Sequence, residues 1–135
     1  MYRYLCSLGA NIEPKQNFAR VQQRLEPLGE VFYSAVITTK PVAMESNSDF
    51  LNGLFVIETE LSATELKLEF NQIEIEFGRD REDPRCSILD RPMDIDILGP
   101  YSDQVWAQVP SYLRTLGAEF KQQFETHNAS QELQL

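Results

Sequence analysis

Phe50-Leu51-Asn52-Gly53-Leu54-Phe55-Val56-Ile57-Glu58-Thr59, followed after two intervening residues by Ser62-Ala63-Thr64-Glu65, decides the fold. The first ten residues read as a strand. The closing four are a capping box, in which serine and glutamate satisfy the open backbone donors at a helix start. Leu66, Phe70, Ile73 and Phe77 then recur at helical spacing, which gives this helix a buried face, and Gly78 stops it.

Working outward, residues 30–38 are β-branched and aromatic and predict another strand. Residues 40–49 carry Pro41, Ser46, Asn47, Ser48 and Asp49, a polar loop too long for a simple hairpin turn. Residues 2–8 read as a strand entering a Gly9-Ala10-Asn11 turn. Pro14 suits the first turn of a helix, with Asn11 a cap nearby. Phe18, Val21, Leu25 and Leu28 form one face of that helix, and Gly29 ends it. Residues 79–91 make an arginine-rich loop, and residues 93–99 alternate as a strand. The order strand-helix-strand-strand-helix-strand predicts an α+β, ferredoxin-like βαββαβ antiparallel sheet with two helices on one face. Beyond it, a short strand or turn near Val105, a helix around 112–125 and a frayed polar end are expected. Residues 1–135 are expected to form a single domain.

Composition narrows the function. The chain has 135 residues, 42% of them hydrophobic, enough for a core without disulfide or metal staples. No apolar run is long enough to span a membrane, and the N-terminus lacks the features of a signal peptide, so a cytoplasmic location is expected. Cys6 and Cys86 form no CxxC and read as free thiols. The single histidine, His127, leaves no room for a histidine metal site or a Ser-His-Asp triad. A net charge of -9 argues against nucleic-acid binding, yet Arg79, Arg81, Arg85 and Arg91 cluster and could bind an anion locally.

Three groupings carry chemistry. Asp94 and Asp96 are two apart on a strand, so their carboxylates share a face and repel each other unless a cation lies between them. Magnesium takes such hard oxygen ligands, completed by water and substrate phosphates. The arginines just upstream could clamp those phosphates and neutralise developing charge. No GxxxxGK[ST] occurs, which excludes a P-loop enzyme. Phe50 and Asn52 also face one way and offer a stacking platform beside an amide, as a flat polar heterocycle requires. Each grouping has a plainer reading: a solvated strand edge, a charged surface loop, a core phenylalanine beside a turn asparagine. Aspartates and arginines together favour a phosphate-and-magnesium site.

Taken together these residues resemble the 6-hydroxymethyl-7,8-dihydropterin pyrophosphokinases of folate biosynthesis. Ser7-Leu8-Gly9-Ala10-Asn11 is similar to that family's N-terminal turn, and Asp49-Phe50-Leu51-Asn52 to its pterin-holding segment. Ile73-Glu74 with Gly78-Arg79-Asp80-Arg81 is similar to its I-E…G-R-x-R, and Arg91 through Leu98 fits R-x-x-D-[LIV]-D-[LIV]-[LIV]. The resemblance implies Mg-dependent transfer of pyrophosphate from ATP, the co-substrate, to the pterin. It implies two Mg2+ ions held by Asp94 and Asp96, and catalysis by Arg79 and Arg91. Nucleotide contacts would come from Arg79, Arg81, Arg85, Arg91, Ile97 and Tyr112, and pterin contacts from Thr39, Val42, Phe50 and Asn52. The implied partners are small molecules, with no nucleic acid and no membrane; a monomer is expected, with an oligomer left open.

The chain departs from the family pattern in places. Leu89 and Asp90 replace a small residue and proline before Arg91, and the loop's tryptophan is missing. Val109-Pro110-Ser111-Tyr112 has serine where the family has a nucleotide-contacting histidine, so residues 110–135 read as a divergent, shortened segment. The alternative function is therefore a catalytically weak paralogue that binds a pterin or another small ligand. An RNA-binding domain on the same topology, with Tyr2 and Tyr4 as stacking residues, is disfavoured by the charge.

Overall fold

β1 (Tyr2–Ala10) lies between two antiparallel neighbours, β4 (Phe50–Thr59) and β5 (Asp94–Pro100). β2 (Glu30–Tyr33) and β3 (Ile37–Thr39) both pair antiparallel with β4. Among the described residues the result is a five-stranded sheet of order β2-β4-β1-β5, with β3 also on β4. Among the described residues three α-helices complete the α+β architecture: α1 (Pro14–Leu25), α2 (Ala63–Glu76) and α3 (Arg114–Leu133). The computed structural model describes residues 1–40, 49–79 and 92–133.

Alternation along the strands divides the molecule. Tyr4, Cys6, Leu8 and Ala10 of β1 join Phe55 and Ile57 of β4 in one core, closed by Phe18, Val21 and Leu25 of α1 and by Leu66, Phe70 and Ile73 of α2. Leu5, Leu54 and Val56 point the other way into a second core, closed by Leu116, Phe120 and Phe124 of α3. The C-terminal helix thus has its own face of the sheet, a placement that its modest apolar periodicity did not announce.

Several local expectations meet a physical reason to differ. Residues 30–38 form two strands, not one. Tyr33 pairs with Phe55 but Ile37 with Asn52, so the outer chain holds one residue more than β4 between these pairs. Ser34 bridges the irregularity: its N–H donates to Leu54 O at 2.9 Å, and its Oγ accepts from Leu54 N at 2.8 Å. Asn11 is buried and does not cap α1; the cap position is Glu13, left-handed at φ 41° and without a side-chain cap bond. α1 ends at Leu25 and passes through a 3-10 turn, Glu26–Leu28, before Gly29. Glycine is required at 29 by contact, since a Cβ there would lie 2.0 Å from Glu58 O.

The capping box at Ser62 is formed: Glu65 N donates to Ser62 Oγ at 3.3 Å and Ser62 N donates to Glu65 Oε1 at 3.0 Å. Gly78, at φ 107°, turns the chain out of α2. After β5 the turn near Val105 is a 3-10 helix, Val105–Gln108, and a second one spans Ser111–Leu113. The helix expected around 112–125 starts at Arg114 and continues to Leu133, with Phe120 and Phe124 holding it to the sheet in place of a frayed end.

Candidate active site

Register determines which side chains meet. Gly9 of β1 lies opposite Asn52 of β4 on one side and Asp94 of β5 on the other. Ser7 lies opposite Asp96, and Thr39 of β3 opposite Phe50. Since alternate residues share a face, Phe50, Asn52, Ser7, Gly9, Asp94 and Asp96 form one surface. That surface is the continuation of the one α3 covers at Leu5, Leu54 and Val56. Thr39, Lys40, Phe50, Asn52, Asp94, Asp96 and Tyr112 together line a cavity of about 70 Å³ over it, with Ser7, Leu8 and Gly9.

Phe50, Asn52 and Thr39 gather at one end. Phe50 is 8% exposed and belongs to neither core, which favours a pocket wall over a core role. Asn52 is buried, and its Nδ2 donates to Thr39 Oγ1. That bond orients the amide and joins β3 to β4. A Cβ on Gly9 would come within 2.9 Å of Asn52 Oδ1 and 3.6 Å of Phe50 Cδ1, so glycine keeps the floor of the pocket low.

The anionic end is built around Asp94 and Asp96. Asp96 is exposed, whereas Asp94 is half-buried and accepts from Arg79 Nη1 at 2.8 Å. Arg79 Nη1 also lies 3.3 Å from Glu74 Oε1. Glu74 is fully buried, and its Oε2 accepts from Ile95 N at 2.8 Å. Two carboxylates on one face fit a hard divalent cation whose other ligands are water and phosphate. Among the described residues no group of three or more His, Cys, Asp or Glu forms a metal cage by itself. Cys6 is buried beneath this surface; burial, with a further contribution from Asp96, pushes its thiol well up, so it is no nucleophile.

Of the residues singled out in the sequence, Thr39, Phe50, Asn52, Asp94, Asp96 and Tyr112 come together, and Arg79 bonds one of them. Ile97 does not join them: it pairs with Cys6 and packs against the α1–α2 core. Val42, Arg81, Arg85 and Arg91 lie outside the described residues. Sequence reasoning missed Ser7, Gly9 and Lys40 as pocket residues and gave Glu74 no role. For Glu74 a signal existed: it shares the helical stripe of Leu66, Phe70, Ile73 and Phe77, where a carboxylate is out of place unless partnered.

Comparison with known proteins defines the class. The model of the family 7,8-dihydro-6-hydroxymethylpterin-pyrophosphokinase (HPPK) matches residues 5–123. No curated protein matches the chain. Among solved structures, the C-terminal domain of the MgtC protein from Mycobacterium tuberculosis is similar at a TM-score of 0.42 and 8% identity, covering 77% of this chain and 94% of that one. The family match spans most of the chain and runs from β1 into α3, so the chain belongs to the HPPK family. That is a family of pyrophosphokinases of folate biosynthesis, which use ATP and Mg2+. Among the described residues no helix is long and apolar enough to cross a membrane.

Proposed function

We propose that this chain transfers the pyrophosphoryl group of ATP to 6-hydroxymethyl-7,8-dihydropterin, as one ferredoxin-like domain over residues 1–135 and as a cytoplasmic monomer. The observation that carries this reading is the single surface on which Phe50, Asn52 and Thr39 stand at one end and Asp94 and Asp96 at the other, with Gly9 between them. Such an arrangement suits a flat acceptor on the phenylalanine and a triphosphate over the aspartates.

In this reading the ring of Phe50 stacks on the pterin, while the buried Asn52 amide, fixed by Thr39, reads its polar edge. Asp94 and Asp96 would hold Mg2+, two ions by family resemblance. Bound there, the metal neutralises phosphate charge and aligns the reacting oxygens. Arg79, anchored on Glu74 and Asp94, adds positive charge beside the transferring group, a role shared with Arg91. Arg81 and Arg85 assist at the phosphates, and Tyr112, half-exposed at the cavity rim, faces the nucleotide. The acceptor hydroxyl attacks the β-phosphorus in line and gives up its proton to solvent, the bond from the β-phosphorus to the bridging α-phosphate oxygen breaks, AMP leaves, and no covalent protein intermediate is needed.

The test is AMP release from purified protein supplied with ATP, Mg2+ and the hydroxymethylpterin. AMP that forms only when both Mg2+ and pterin are present supports the reading. Tight pterin binding by calorimetry without AMP overturns it in favour of the binding paralogue, and makes Ser111 the first position to restore to histidine.

A further inference from the structure

The most deeply buried charged side chain among the described residues is Glu74, at 0% exposure, and the reaction above does not use it. Two of its side-chain contacts reach toward the two aspartates. Oε2 accepts the N–H of Ile95, the residue between Asp94 and Asp96. Oε1 meets Arg79 Nη1 at 3.3 Å, and the same nitrogen donates to Asp94 Oδ1 at 2.8 Å. The backbone N–H of Arg79 donates to Glu74 O at 3.0 Å, so α2 holds this arginine by both main chain and side chain.

We infer that Glu74 is a positioning residue that sets the divalent-cation affinity of the Asp94–Asp96 pair. It does so in two ways. Its bond to Ile95 N fixes the strand segment that presents both carboxylates. Its negative charge also shares Arg79 Nη1 with Asp94, at 3.3 Å and 2.8 Å respectively. With Glu74 in place, these four side chains carry two net negative charges; without it they carry one. In a partly buried site that difference acts at low effective dielectric and is weakly screened. Partners that orient metal ligands from behind commonly change metal affinity by about 10–100-fold when altered. The inference rests on the metal reading of Asp94 and Asp96, and the experiment separates the two.

Mn2+ binding is measured by electron paramagnetic resonance on the whole chain without nucleotide, so that the phosphate contact proposed for Arg79 does not enter the comparison. The wild type, Glu74→Gln, Glu74→Gln/Arg79→Met and Asp96→Ala are compared, each checked by thermal melting. The expected result is Mn2+ affinity about tenfold weaker in Glu74→Gln and restored to near wild type in the double variant, which again carries two net negative charges. Equal affinity in Glu74→Gln and wild type overturns the inference. So does a double variant as weak as the single one, because the charge balance of these side chains would then not set the affinity. If Glu74→Gln does not fold, the double variant decides alone, since a buried ion pair can be replaced as a unit: near-wild-type affinity supports the inference and weakened affinity overturns it. Wild type that binds no better than Asp96→Ala removes the metal reading itself, and this inference with it.

Discussion

One face of the sheet has two ends, and they are built from opposite materials. Under α3, successive same-face positions are Leu5, Leu54 and Val56, all buried against Phe120 and Phe124. Further along the same strands they become Ser7 and Gly9, Asn52 and Phe50, Asp96 and Asp94. The backbone ladder is continuous; only the side chains change. Where they are apolar, a helix covers them and the gain is burial. Where they are polar or absent, they line a small pocket. A strand that alternates between two faces can thus hold a core on one face along its whole length while the other switches from core to site within a few residues.

Substitutions can test whether the two ends are independent. The largest effect is expected at the covered end. Phe120→Ala should remove about 3–5 kcal/mol of stability in denaturant melts, because its ring is fully buried. Pterin affinity per folded molecule should not change; a folded variant that no longer binds would show that the two ends are coupled. Asp96→Ala should act in reverse. The residue is exposed, so melting should hardly move, while AMP release falls by roughly 10²–10³-fold, the range seen when a preorganised charge contact is lost. Retention of full activity would dismiss the metal assignment.

Gly9→Ala probes the boundary between the ends. The added methyl meets the Asn52 oxygen, and such overpacking costs about 1–3 kcal/mol. Calorimetry should report weaker pterin binding, and unchanged affinity would mean that the floor tolerates a higher profile. The smallest effect is expected far from either end, at the start of α2. Ser62→Ala should cost about 1 kcal/mol in urea melts. Hydrogen bonds from the Ser62 backbone N–H and hydroxyl hold the Glu65 carboxyl below its ordinary value. Its contribution is therefore present in full above the ordinary glutamate range and fades as pH falls through the lowered value. That acid-side dependence should shrink in Ser62→Ala, and identical acid melts of variant and wild type would show that the box contributes nothing.

Much of this was legible in the residues. The capping box stated where α2 begins, because its two hydrogen bonds are local. The apolar stripes of α1 and α2 were readable because helical period and burial coincide. The Asp94–Asp96 spacing stated that both carboxylates share a face, since that follows from strand geometry alone. The break at Ser34 was not legible. It depends on β4 presenting the N–H and C=O of Leu54 at that point, a partner twenty positions away.

The sequence by itself determined β1, β4, β5, α1 and α2, their order and the family-like set of residues at Phe50, Asn52, Arg79, Asp94 and Asp96, because period, capping and spacing are properties of neighbours along the chain. Only the tertiary structure decided that Gly9 lies between Asn52 and Asp94, that α3 covers one end of that face and not the other, and that Glu74 reaches from within the core to Ile95 and Arg79. Those are matters of register between distant strands and of partners found only on packing, and a buried carboxylate shows its purpose only when its partners are in place.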